Sequence, residues 1–205
     1  MPKIVEGSLE FDFAASVQAL KYDDSDWKNS RFGICPAMDI LAREQGQQWW
    51  IEIKDCEGAE PDNRPRLSAA EPDELLLTRS WIENQGFGPK VRAIRNKPFI
   101  INELIEKLRS TLIGCDLAGV CDPDGNQADA VVGVHRMVDG DQPLIVVLYL
   151  TWEGKEFRRL ARGLQTKLDR ALRHYGWKGL VVNNSVQLVQ TTGVRCTVTR
   201  VQSGS

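Results

Sequence analysis

Histidine is nearly missing from this chain: His135 and His174 are the only two in 205 residues. That argues against a His-rich metal centre and against a histidine-centred catalytic triad. Cysteine is sparse and unpatterned. Cys35, Cys56, Cys115, Cys121 and Cys196 are odd in number and their spacing fits no zinc site, so they are expected to be reduced thiols of a cytoplasmic protein. No apolar run approaches the ~20 residues a membrane helix needs, and Met1-Pro2-Lys3 leads into no signal-peptide core. A membrane is therefore not an expected partner. An excess of one charge is also lacking. With 26 basic and 28 acidic residues the net charge is −2, so any attraction to nucleic acid must come from a local patch. What remains is ordinary for a globular chain: 42% hydrophobic and 26% charged residues. The length suits one sizeable core, read as a single domain over 1–205 with an irregular insertion at about 57–98.

The stretch from Ala37 to Lys54 organises the reading. It is predicted to form two strands around the turn Glu44-Gln45-Gly46-Gln47-Gln48. Residues two apart on a strand share a face. Trp49, Ile51 and Ile53 then point one way, and Trp50, Glu52 and Lys54 the other. Pairing across the turn brings Asp39 beside Glu52 and Lys54. Asp39 is a lone charge in an apolar run, and a buried carboxylate needs a partner or a metal. Two neighbouring carboxylates suit Mg²⁺, which takes one or two of them and leaves room for water and phosphate. Removing one carboxylate is expected to relieve repulsion and leave the fold intact. The bland alternative is a solvated strand face bearing Glu52 and Lys54, with Asp39 in a turn.

The pattern D-I-L-A…W-W-I-E-I-K-D resembles the core of the PD-(D/E)xK, or restriction-endonuclease-like, nuclease superfamily, and the order of elements extends the likeness to about Asn184. One departure is that Pro36 stands three residues before Asp39 instead of next to it. The resemblance implies an α/β fold with a mixed central sheet flanked by helices. It implies that Asp39 and Glu52 bind Mg²⁺ or Mn²⁺, with the Ile53 carbonyl as a further ligand, and that Lys54 positions the attacking water. An early acidic residue often joins such a site, and Glu6, Glu10 and Asp23 all remain candidates. The implied activity is phosphodiester hydrolysis of nucleic acid, with DNA expected, in a bacterial antiviral defence system. An alternative is a nuclease-fold interaction subunit with little activity alone, recruited by a partner ATPase. A homo-oligomer is left open.

Elsewhere the pattern predicts a strand over Leu9–Phe13, helical composition over Ala14–Tyr22 and a turn or helix cap at Asp23–Asp26. A helix is predicted from Phe99 to Ile113, on which Lys107 is within reach of the site but is read as solvated. Cys121–Asn126 is read as a turn. Leu144–Leu150 and Gly179–Asn184 read as buried strands. Between them lies an amphipathic helix with Phe157, Leu160, Leu164, Leu168 and Leu172 on one stripe and arginines on the other. Arg158, Arg159, Arg162 and Arg170 there, and Lys90, Arg92 and Arg95 in the insertion, are the candidate nucleic-acid contacts. A docking face is the alternative for the helix, an exposed loop for the insertion. Thr191–Val201 is expected to be an edge strand or tail.

Overall fold

The computed structural model describes residues 1–58, 61–121, 144–152 and 157–201. In chain order these form β1 (Lys3–Glu6), β2 (Leu9–Phe13), β3 (Gln18–Lys21), α1 (Asp26–Phe32), β4 (Ile40–Glu44) and β5 (Gln47–Lys54). A 3₁₀ segment (Pro61–Leu67), α2 (Asp73–Asn84), α3 (Ile100–Cys121) and β6 (Ile145–Leu150) follow. The last elements are α4 (Phe157–Leu172), β7 (Lys178–Val182), α5 (Ser185–Thr192) and β8 (Cys196–Arg200). The architecture is mixed α/β, as expected.

The central sheet has the order β3-β4-β5-β6-β7. β3, β4 and β5 are antiparallel, whereas β5, β6 and β7 run parallel. Gln45 and Gly46 both take positive φ, 48° and 87°, which is what a two-residue hairpin turn between right-twisted strands requires. The register sets Ile40 opposite Ile51 and Leu41 opposite Trp50. β6 lies inside the sheet with all six residues buried, which explains its unbroken apolar run.

Each face of this sheet has its own cover. Leu41, Trp50, Val146, Leu148 and Leu150 pack under α1, α3 and α4 through Trp27, Leu104, Leu108, Leu164 and Leu168. Ile40, Trp49, Ile51, Ile53, Val147 and Tyr149 pack against the second sheet, of order β1-β2-β8, and against Leu188 of α5. Phe11 and Phe13 of β2 are fully buried in that second core.

Several expectations change. Residues 18–21 form the edge strand β3 instead of a helix, because pairing with β4 supplies their backbone partners and overrides weak helical propensity. α3 runs on to Cys121, beyond the Ile113 expected. The insertion contains a 3₁₀ segment and α2 instead of being irregular throughout. The turn or helix cap expected at Asp23–Asp26 is present, with Ser25 capping α1 by accepting from the Lys28 amide. A helix, α5, precedes the expected edge strand near the C-terminus. The turn expected at Cys121–Asn126 lies, from Asp122 on, outside the described residues.

Candidate active site

Parity on β5 decides which side chains can meet. Trp50, Glu52 and Lys54 project to the helix-covered face. Asp39 ends the loop before β4 and is one residue from Ile40, so it shares the face of Leu41. Its backbone is pinned on both sides. The Tyr22 amide donates to the Asp39 carbonyl at 2.9 Å, and the Met38 amide donates to Thr111 Oγ1 of α3, also at 2.9 Å.

The carboxylates do converge, and a residue read as solvated joins them. Lys107 Nζ reaches from α3 to Asp39 Oδ1 at 2.8 Å and to Glu52 Oε1 at 2.7 Å. Lys54 Nζ meets the same Glu52 oxygen at 2.8 Å and Glu103 Oε1 at 3.2 Å. Arg66, from the 3₁₀ segment, closes the chain by pairing with the other Glu103 oxygen. The solvated reading of Lys107 is thus corrected: only 14% of its side chain is exposed. A signal was present in the sequence. Glu103, Lys107 and Thr111 recur every four residues, which forms a polar ridge beside the apolar stripe of Leu104 and Leu108. Isolated, each looks like a surface residue.

Asp39 is fully engaged, because its Oδ2 accepts from the Ile53 amide at 2.6 Å. This N–H contact is how Ile53 takes part in the cluster. Glu52 is different. Its side chain is 1% exposed, its Oε1 meets two ammoniums at 2.7 and 2.8 Å, and its Oε2 meets no donor. Burial, and then the nearby Asp39 charge, push the Glu52 carboxyl up to about 7, against the pull of Lys107 and Lys54. Burial lowers the Lys107 ammonium, but Glu52 and Asp39 together outweigh that and raise it above its ordinary value.

Of the three early acidic candidates, Asp23 is the one coupled to this cluster. Its carboxyl is pushed up to about 6 by burial, then by the charges of Asp39 and Glu6, with Lys21 and Lys107 opposing. Asp23 Oδ1 is buried without a donor. Glu6 pairs with Lys21 at 3.0 Å and Glu10 with Lys3 at 2.8 Å. Among the described residues no group of three or more His, Cys, Asp or Glu side chains is gathered tightly enough to hold a metal by itself. Two carboxylates, Asp39 and Glu52, are what this chain offers, and Mg²⁺ sites are commonly built on one or two. The unpartnered Glu52 Oε2 is an acceptor such an ion would satisfy, so the donor set fits a hard divalent cation.

The expected nucleic-acid contacts separate into two kinds. Arg158, Arg159, Arg162 and Arg170 are exposed on α4, and none meets a carboxylate among the described residues. Lys90 and Arg92 are exposed as well. Arg95 is used within the insertion. Its guanidinium donates to the Ser68 carbonyl at 3.0 Å and to the Ala70 carbonyl, so it holds the loop together instead of presenting a free fork. Arg66 and Arg95 both line an open cavity of about 880 Å³ between the 3₁₀ segment, α2 and residues 93–97.

Fold and cluster together define a mixed α/β protein that carries a buried ionic cluster of two carboxylates and two lysines on one sheet face. Comparison of the chain with protein-family models, with curated proteins and with solved structures found no match. Among the described residues no helix is long and apolar enough to cross a membrane.

Proposed function

We propose that this chain is a divalent-metal-dependent phosphodiesterase acting on nucleic acid, with DNA the expected substrate. The observation that carries the reading is the Glu52 carboxylate: buried, beside Asp39 on one face, with one oxygen lacking any donor. Burying such a group without full compensation costs free energy, and a functional site is a common reason to retain it. Asp39 and Glu52 would hold the ion. Mg²⁺ or Mn²⁺, if bound there, would supply compensation for phosphate charge and polarisation of a water. Lys54 is placed on the adjacent turn of the strand pleat, where its ammonium orients a water or a phosphate oxygen. Glu103 fixes that ammonium by contact at 3.2 Å, and Arg66 in turn holds Glu103.

The closure of the cluster favours a second reading. Asp39, Glu52 and Lys54 are all buried. A phosphate reaches Lys54 only when part of the cover moves. A nuclease-fold subunit that needs a partner, such as an ATPase of a defence system, would keep its site closed in this way.

Cleavage of supercoiled plasmid and of labelled oligonucleotides, with Mg²⁺ or Mn²⁺, tests both. The proposal expects metal-dependent cleavage that falls by at least about 100-fold in Asp39→Asn, on the scale of losing a principal electrostatic contributor to the transition state. Unchanged cleavage in that variant would overturn the assignment. Cleavage seen only after a partner protein is added would favour the second reading.

A further inference from the structure

Lys107 occupies the place between the two carboxylates where a cation belongs. Its ammonium lies 2.8 Å from Asp39 Oδ1 and 2.7 Å from Glu52 Oε1, and it comes from a different element, α3, than either carboxylate. Asp23 is a further carboxylate whose charge is coupled to Asp39 and Lys107. Asp39, Glu52 and Glu103 contact Lys54, Lys107 and Arg66, so each of these carboxylates already meets a cation. A divalent ion added to this set would place two further charges in a buried site. One added beside an unmoved Lys107 would also sit against an ammonium within a few ångströms, since Mg–O distances are about 2.0–2.1 Å. Repulsion at such separations is screened far less in a buried setting than in water, so the two cations exclude each other.

Resting on the metal-dependent reading above, we propose that Lys107 is a resident counter-ion that a divalent cation must displace, so that the site is held assembled and closed by its own lysine until metal arrives. The consequences follow from the contacts. Without metal, Lys107 spares Asp39 and Glu52 the cost of facing each other bare. With metal, its side chain leaves both oxygens and turns toward the exposed flank of α3, where its neighbour Glu106 is already exposed. Metal affinity is then the difference between binding the ion and losing two ion contacts. It is expected to be weaker than two buried carboxylates would otherwise give. Thr111, one turn further along α3, keeps its bond to the Met38 amide, so the Asp39 loop stays anchored while the lysine moves.

Two measurements on the full chain decide this. Titration calorimetry with Mn²⁺ on the wild type, Lys107→Met and Asp39→Asn should show Lys107→Met binding at least about tenfold tighter than wild type and Asp39→Asn binding little or none. Amine-reactive labelling followed by mass spectrometry should show Lys107 of the wild type labelling several-fold faster with Mn²⁺ than without, and no such change in Asp39→Asn. The labelling arm needs no Lys107 variant, so it stands if Lys107→Met does not fold. If the wild type binds Mn²⁺ but Lys107 labels at an unchanged rate, or Lys107→Met gains no affinity, the displacement is wrong and the metal site stands. If neither wild type nor Lys107→Met binds Mn²⁺, the metal-dependent reading itself fails and takes this inference with it.

Discussion

Neighbouring residues of β5 enter two unlike environments. Ile51 and Ile53 sink into a core made almost wholly of aliphatic and aromatic side chains, closed by the second sheet. Glu52 and Lys54, alternating with them, enter the helix-covered side and meet Lys107 and Glu103. Even the polar residue at the end of the strand divides this way. Asp55 points toward the second sheet, where Ser8 donates to it, Thr151 Oγ1 donates at 2.7 Å and Arg200 lies at 3.4 Å. That carboxylate is supplied with donors and ties the end of β5 to the β1–β2 turn and to β8. Glu52, with an oxygen left bare, is not so supplied. One strand therefore carries stability on one face and an incompletely satisfied cluster on the other. Their difference lies in how far each buried polar atom is satisfied, since both are equally closed to water.

The largest effects should test whether both faces support the fold. Phe11→Ala removes a fully buried ring from the sheet-covered core and is expected to cost about 3–5 kcal/mol, independent of added metal. Glu52→Ala on the other face is expected to cost about 2–4 kcal/mol in the absence of metal, because it takes from each of two buried ammoniums one of the two carboxylates it meets. The expectation from sequence ran the other way, with repulsion relieved and the fold untouched. It omitted Lys107 and so treated the carboxylates as facing only each other. Urea unfolding of the two variants compares the faces directly. A Glu52→Ala protein as stable as wild type would mean that the ionic side contributes nothing to the fold.

A smaller effect sharpens the comparison through pH. The Glu52 carboxyl is raised from its ordinary 4.5 to about 7 in the folded chain. Between those values the folded protein keeps a proton that the unfolded chain has released. Stability therefore falls as pH rises from about 4.5 to about 7 and levels off above. Asp23, raised to about 6, adds the same sign over a narrower window. Glu52→Gln should flatten the decline in melting temperature between pH 5 and pH 8, measured without divalent ions. A variant that keeps the full slope would show that another group is responsible.

How much of this was legible in sequence follows the same division. The two-residue period of β5 separates Glu52 from Ile51 without any structure, and Gly46 marks the turn that brings Asp39 across. The buried strand Ile145–Leu150 and the stripe of α4 are equally readable from their periods. Lys107 is less readable: the four-residue recurrence of Glu103, Lys107 and Thr111 is its trace, but a lysine on an amphipathic helix is solvated in most cases, and the docking of α3 over Asp39 is what gives that ridge its meaning. β3 was missed for a related reason: its partner is β4, and edge pairing leaves little trace in a four-residue segment. Arg95 looked like its basic neighbours because sequence does not reveal which carbonyls a guanidinium will find.

The smallest stability effect, and the most selective functional one, is expected from the exposed side of α4. Its inner face is fixed by Leu164, Leu168 and Leu172 and by Gln165, which donates to the Gly179 carbonyl at 2.7 Å and accepts from the Val181 amide at 3.0 Å. Arg158, Arg159, Arg162 and Arg170 take no part in that docking. Changing Arg158, Arg159 and Arg162 to Gln should alter stability by no more than about 0.5 kcal/mol, as for surface sites without partners. If these forks contact phosphates, each one lost should reduce the slope of log affinity against log salt by about 0.9 for duplex DNA. The triple variant should then bind DNA more weakly at low salt with a flatter salt dependence, measured by fluorescence anisotropy. Metal binding at Asp39 and Glu52 should be unchanged, because the arginines are not among the contacts of that cluster. A variant that binds DNA as the wild type does, yet no longer associates with a partner protein, would make α4 a docking face. The helix-covered side would then serve assembly at its surface, whatever chemistry its buried carboxylates carry.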